Sequence, residues 1–184
     1  MTILITGATG LVGERLVPRL VEAGLECRLL LRGGKTCPQG ATAVTGDILY
    51  PSTVSEAVRG VSAIVHLAAV FRSPDTDLIW RSNLEGTRNL IAAVQANAPD
   101  ARFIMASTSN VYDRNSAQPG RETDRVNPRQ AYPASKVAAE RLLRESGLNW
   151  SILRFPFVYG DGDGHLEMLP KHLDAFGFHP ANRM

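Results

Sequence analysis

The chain has 184 residues, 44% of them hydrophobic and 21% charged, with a formal net charge of +2. That length allows one domain with a sizeable core, and so small a charge without a dense Lys/Arg cluster argues against a nucleic-acid-binding face. No stretch approaches the roughly 20 apolar residues of a membrane span, and the opening MTILITGATG has neither the basic start nor the apolar length of a secretory signal. A cytoplasmic protein is expected. Cys27 lies in an apolar run and Cys37 in a Gly/Pro loop, and no disulfide is expected between them.

TILIT (2–6) reads as a buried strand and LVGERLVPRLVEAG (11–24) as a helix ending at Gly24. The spacing of Leu11, Leu16, Leu20 and Val21 outweighs Pro18, which should kink that helix by removing one backbone hydrogen bond. CRLLL (27–31) and ATAVTGD (41–47) are the second and third strands, followed by a short helix opening at Pro51 and Ser52. AIVHLAA (63–69) is a fourth strand, residues 76–97 a long helix stopping before Pro99, and RFIMAS (102–107) a fifth strand. Residues 132–146 read as a helix and WSILRF (150–155) as a sixth strand. Strands that are apolar throughout, alternating with helices, predict a parallel sheet covered on both faces. The expected fold is a doubly wound α/β domain of the Rossmann type.

TGATGLVG sets Gly7, Gly10 and Gly13 between the first strand and the first helix, with Thr9, Leu11 and Val12 in the same turn. Gly7 permits a tight turn, Gly10 the approach of a pyrophosphate, and Gly13 close packing of helix on strand. Phosphates would sit on the helix N-terminus, where free N–H groups and the dipole favour anions. The second strand ends in Leu30, Leu31 and Arg32. No carboxylate is there for a ribose 2′-OH, and an arginine suits a 2′-phosphate, which points to NADP in preference to NAD unless Arg32 is plain surface charge. Asp47 and Ile48, after the third strand, are candidates for the adenine end, although Asp47 reads equally well as a turn residue. HLAA (66–69) ends the fourth strand with residues against which a cofactor can lie, adding Leu67, Ala68 and Ala69, whereas His66 also reads as a satisfied, partly buried histidine.

YPASK places Tyr132 four residues before Lys136, a spacing that is weak by itself. Taken in order, TGATGLVG, GDI, VHLAA, NLEGTRNLI, MASTSNVY, YPASK and LRFPFVYG span residues 2 to 160. Together they resemble the extended short-chain dehydrogenase/reductases of the NAD(P)-dependent epimerase/dehydratase type. The resemblance implies Tyr132 as general acid/base and Lys136 as its activator and the anchor of the nicotinamide ribose. A tyrosine with a free pKa of about 10 is a poor base, and an ammonium one turn away together with an oxidised nicotinamide would favour the phenolate. The resemblance also implies Thr108 as the hydroxyl that meets the substrate oxygen, with Ser107 and Ser109 as neighbours able to take that role. It implies Asn83 as an active-site support from the long helix, and Pro156 through Val158 beside the nicotinamide. Relatives often have arginine-proline where this chain reads Arg154-Phe155-Pro156.

Relatives of this kind run much longer, and their C-terminal part builds most of the substrate pocket. Residues 1–160 are therefore expected to be the NAD(P)-binding domain and 161–184 the start of a substrate-binding region that is mostly missing, in a fragment or shortened chain. His165, His172 and His179 recur every seven residues, but Pro170 and Pro180 break any long helix, so no metal site is expected. The leading expectation is an epimerase acting on a nucleotide-sugar. Ser109 and Asn110 follow Thr108 where dehydratases tend to carry an acid, which disfavours dehydration. The alternatives are an NADPH-dependent carbonyl reductase of the dihydroflavonol-reductase kind, supported by Arg32, and a cofactor-binding module without turnover. The resemblance further implies a homodimer through helices 76–97 and 132–146, where Ala92, Ala93, Ala96, Ala138 and Ala139 are small enough for close contact.

Overall fold

The computed structural model describes residues 1–112 and 120–163. Six parallel strands form one sheet in the order β3-β2-β1-β4-β5-β6. They are β1 (Thr2–Thr6), β2 (Glu26–Leu31), β3 (Ala41–Thr45), β4 (Ala63–His66), β5 (Arg102–Thr108) and β6 (Trp150–Phe155). The chain winds outward from β1 in one direction and then, from β4, in the other, so the winding reverses between β1 and β4. The helices are α1 (Gly13–Glu22), α2 (Pro51–Ala57), α3 (Thr76–Trp80), α4 (Gly86–Asn97) and α5 (Ala131–Glu145).

Successive strand residues point to opposite faces, and this divides the core in two. Leu4, Leu30, Ile64, Phe103 and Met105 pack on one face against Val54 of α2, Leu90 and Val94 of α4, and Leu143 of α5. Ile3, Ile5, Leu29 and Leu31 pack on the other against Val17 of α1. The first face is covered by α2, α4 and α5, whereas among the described residues the second is covered by α1 over β1, β2 and β4 only, and Leu153 of β6 stays 43% exposed.

Several boundaries differ from expectation. The helix expected over 76–97 is continuous but carries a π-helical segment, Arg81–Glu85, between α3 and α4, which turns Ser82 and Asn83 inward. β4 stops at His66, and Leu67–Ala69 leave the sheet toward its edge. α1 starts at Gly13 and carries Pro18 inside it without ending there. Ala93 and Ala139 belong to the chain's own core rather than to a dimer surface, because α4 and α5 turn those positions onto the sheet. Ala92 and Ala96 are exposed and Ala138 partly so. Cys27 and Cys37 are free thiols. No helix among the described residues is long and apolar enough to cross a membrane. His165, His172 and His179 lie outside the described residues.

His66 is fully buried, not partly buried, and stitches β4 to β1 and α4. Thr87 donates its hydroxyl proton to the Asn83 carbonyl at 2.6 Å, so its oxygen accepts from His66 Nε2 at 2.9 Å. Nδ1 then accepts from the Thr6 hydroxyl at 2.6 Å. The neutral imidazole is satisfied on both sides. Burial, helped by the Lys136 charge, lowers its pKa to about 3.

Two stability outcomes follow. Phe103→Ala removes a fully buried ring from the larger core and should cost about 3–5 kcal/mol in chemical or thermal unfolding. His66 binds its proton near pH 6.5 when unfolded but only at about 3 when folded, so between those values the unfolded state binds more protons and stability falls as pH falls. The slope approaches ~1.4 kcal/mol per pH unit for one proton. Urea midpoints measured over that window should flatten in His66→Asn.

Candidate active site

The C-terminal ends of all six strands open onto one cleft made of two adjoining cavities of about 600 and about 450 Å³. Gly7, at the end of β1, and Leu67, just past β4, line both. The cleft therefore straddles the point where the winding reverses, where open α/β sheets bind ligands.

Gly7 leaves β1 at φ +73°, and a Cβ there would lie 2.5 Å from the Ala68 nitrogen. Gly13 opens α1 so close to the turn that its Cβ would fall 2.5 Å from the Gly7 carbonyl oxygen. Gly10 is different: its Cβ would meet only that oxygen, at 3.4 Å, and its open side faces the cleft. Among the described residues the amides of Leu11, Val12 and Gly13 donate to no other group. This cradle of bare backbone and free amides at a helix N-terminus fits a dinucleotide pyrophosphate.

The smaller cavity is lined by Arg32, Lys35, Asp47, Ile48 and Ala68. Lys35 was not singled out in the sequence. Its amide donates to the Arg32 carbonyl at 3.3 Å, with Gly34 at φ +80°, so the turn after β2 brings both cations to one rim. Asp47 Oδ1 accepts from the Leu49 amide at 2.9 Å, so the carboxylate caps a turn while it lines the cavity. Gly86 and Asn89 seat Ile48. A Cβ at Gly86 would lie 2.5 Å from Ile48 Cδ1, and Asn89 Nδ2 donates to the Ile48 carbonyl at 3.0 Å.

The larger cavity gathers Thr108, Tyr132, Lys136, Pro156 and Val158 with the glycine turn, Thr9, Leu11 and Val12. Tyr132 and Lys136 share one face of α5 at its N-terminus. Lys136 is 1% exposed. Burial lowers its pKa to about 8, against the opposing charge of Glu140. Burial pushes the Tyr132 hydroxyl upward, and the phenolate expected from the sequence calls for the oxidised nicotinamide as well as the lysine. Phe71, which the sequence did not mark, packs edge-on against Tyr132 with ring centroids 4.7 Å apart.

The three candidate hydroxyls at the end of β5 differ in engagement. Ser107 donates to Glu140 at 2.6 Å, while Thr108 lines the cavity and its oxygen accepts from the Asn110 amide at 3.1 Å, leaving its proton available. Ser109 lines neither cavity. Asn83 also lines neither. It clamps the strand-to-helix loop instead, accepting from the Val70 amide at 2.7 Å and donating to the Val70 carbonyl and the Ser135 hydroxyl, both at 3.0 Å. Every residue assigned to the cofactor from sequence lines at least one of the two cavities. Arg15 was also missed. It donates to the Leu11 carbonyl at 2.9 Å and to the Asp161 carbonyl, tying the segment after β6 to the glycine turn.

Comparison with known proteins agrees with this geometry. Residues 3–176 match the NAD dependent epimerase/dehydratase family. The ceramide reductase of Caulobacter vibrioides is 32% identical over 165 residues, covering 88% of this chain and 47% of that protein. A short-chain dehydrogenase/reductase superfamily protein from Agrobacterium tumefaciens, solved with bound NAD, is 30% identical with a TM-score of 0.78, over 96% of this chain and 59% of that one. The UDP-glucose 4-epimerase of Thermus thermophilus, solved with NAD, is 29% identical with a TM-score of 0.75, over 84% and 54%. The chain thus spans about half the length of the curated relatives it matches. With a glycine turn, a six-strand parallel sheet and a match over nearly its whole length, the chain belongs to the NAD-dependent epimerase/dehydratase family.

Proposed function

We propose that this chain forms the cofactor-binding part of an NADP(H)-dependent oxidoreductase that reduces a ketone or aldehyde. The observation that carries the reading is the convergence of Thr108, Tyr132 and Lys136 on the cavity that also holds the glycine turn. Gly10 and the free amides of α1 would hold the pyrophosphate, Lys136 the nicotinamide ribose, and Arg32 with Lys35 a 2′-phosphate. When bound, the nicotinamide supplies the hydride. Thr108 holds the substrate oxygen by donating its free hydroxyl proton. Tyr132 delivers a proton to that oxygen. The Lys136 ammonium beside it stabilises the tyrosinate left behind.

Arg32 and Lys35 on one rim of the smaller cavity favour a 2′-phosphate, and NADPH commonly serves reductions. The 32% identity to a ceramide reductase supports the same direction. The second reading, a nucleotide-sugar epimerase, is favoured by the likeness to the UDP-glucose 4-epimerase of Thermus thermophilus. Within either reading residues 1–160 are the cofactor domain and 161–184 begin a substrate-binding region.

Saturation with NADP(H) at a hundred times its Kd should add about 2.7 kcal/mol and raise the unfolding temperature by roughly 5–10 °C. NAD(H) should give less, and Arg32→Ala/Lys35→Ala should erase the difference. A larger shift with NAD(H) sinks the NADP preference. In the protein that turns over a carbonyl substrate, Tyr132→Phe should lower kcat by about a hundred- to ten-thousandfold while leaving the NADP(H)-induced shift in place. Reduction consumes NADPH in step with product, whereas epimerisation consumes none.

A further inference from the structure

We infer that Glu140 is a positioning residue for the proposed reaction centre: gripped by Ser107 and Arg154, it fixes the turn of α5 that carries Lys136 and supplies the counter-charge to the buried ammonium. This rests on the role proposed for Lys136 above.

Glu140 stands four residues beyond Lys136, on the same face of α5, and is 2% exposed. Ser107 and Arg154 are register partners on adjacent strands. Both reach Glu140. Ser107 donates to Oε1 at 2.6 Å, Arg154 Nε donates to Oε1 at 3.0 Å and Nη2 to Oε2 at 2.6 Å. The remaining Arg154 nitrogen, Nη1, donates to the Tyr112 hydroxyl at 2.9 Å and the Glu122 carbonyl at 3.3 Å. Arg154 is separated from Pro156 by one residue where relatives often have arginine-proline, and its side chain turns inward as a two-pronged fork on a buried carboxylate.

A buried ion pair is weak evidence of stabilisation, because desolvating both charges offsets most of their attraction. Its placement is more informative. The carboxylate joins the strand next to Thr108, the helix of Tyr132 and Lys136, and the strand leading to Pro156. Other groups near the ammonium give it no counter-charge: His66 from β4 is neutral and Tyr132 is protonated. Arg154 from β6 is cationic and sits behind Glu140. Asp163, after β6, lines the same cavity, but it is Glu140 whose charge opposes the effect of burial on Lys136. Burial alone would raise the Glu140 carboxyl. The Arg154 and Ser107 hydrogen bonds, with the charges of Arg154 and Arg144, outweigh burial and hold it below the ordinary carboxylate value, so it is ionised wherever Lys136 titrates.

The test uses the small number of lysines: Lys35, Lys136 and Lys171. Lysine-selective 13Cε NMR of the cofactor-free chain gives three resonances, and Lys136→Arg assigns the one of interest. In the native chain that resonance should titrate near pH 8. Glu140→Gln should lower the midpoint by about one pH unit or more and leave Lys35 unmoved. Glu140→Gln/Arg154→Gln, which leaves no orphaned cation, should lower it in the same direction and guards against misfolding of the single variant. An unchanged Lys136 midpoint in whichever variant folds overturns the inference. NADP(H) binding is scored separately on the native chain. Binding without a shifted midpoint would remove Glu140's role and keep the proposed function, and a shifted midpoint without binding would do the reverse.

Discussion

Gly7 turns out of β1 with φ +73° against the backbone of Leu67 and Ala68, and Gly13 starts α1 against the backbone of Gly7 and Ala8. In both places main chain lies where a side chain would have to be, and a Cβ would come within 2.5 Å of a neighbouring backbone atom. This contact between backbones sets the floor of the cleft. It brings the ends of β1 and β4 together at the reversal of winding and drops α1 so that its first amides face the opening. A side chain at either glycine would push α1 or the Leu67–Ala69 segment away and change both cavities together, because Gly7 and Leu67 line both.

Behind that floor lies a layer of buried ionisable groups, each handled differently. His66 stays neutral because a threonine hydroxyl meets each ring nitrogen. Glu140 stays charged because Arg154 and Ser107 satisfy both oxygens. Lys136 is as deeply buried as the other two, and the charge of Glu140, four residues on, opposes the effect of that burial. A buried cation is costly, and departures of this kind from the rules of a stable core are expected where a site is kept ready for a ligand. The lysine lines the same cavity as the glycine turn, so the buried cation and the free amides belong to one site.

The strands and the glycine turn were legible because each depends on a local pattern. Runs such as TILIT and CRLLL are apolar on both faces, which only a covered parallel sheet requires, and the glycine spacing reflects the backbone contacts just described. Side-chain destinations were less legible. Asn83 was placed correctly on the long helix, but nothing local announces the π segment that turns it toward Val70 and Ser135. Arg154-Phe155-Pro156 departs from the arginine-proline of relatives, but nothing in that triplet points to Glu140, fourteen positions away. The pairing depends on α5 crossing the ends of β5 and β6, a tertiary fact with no sequence period. Lys35 reaches the Arg32 rim through a turn that the two adjacent glycines of RGGK permit. Ala93 and Ala139 are the converse case: their small size suits a helix–helix contact and a packed core equally well, and only the fold puts them in the core.

The proposed reaction rests on two features that share no residues. One is the open hydroxyl pair of the larger cavity, where Thr108 and Tyr132 can pass a proton to or from a substrate oxygen. The other lies at the far rim of the smaller cavity, where Arg32 and Lys35 stand together and no carboxylate ends β2. The first is indifferent to direction, because a tyrosine beside a lysine serves as acid or as base according to the redox state of the nicotinamide. The second is not: a site built for a bare ribose would gain from an acid at that rim, whereas two cations suit a 2′-phosphate. The proposed preference for giving a proton and a hydride therefore follows from the cofactor that the rim favours, and it stands or falls with Arg32 and Lys35.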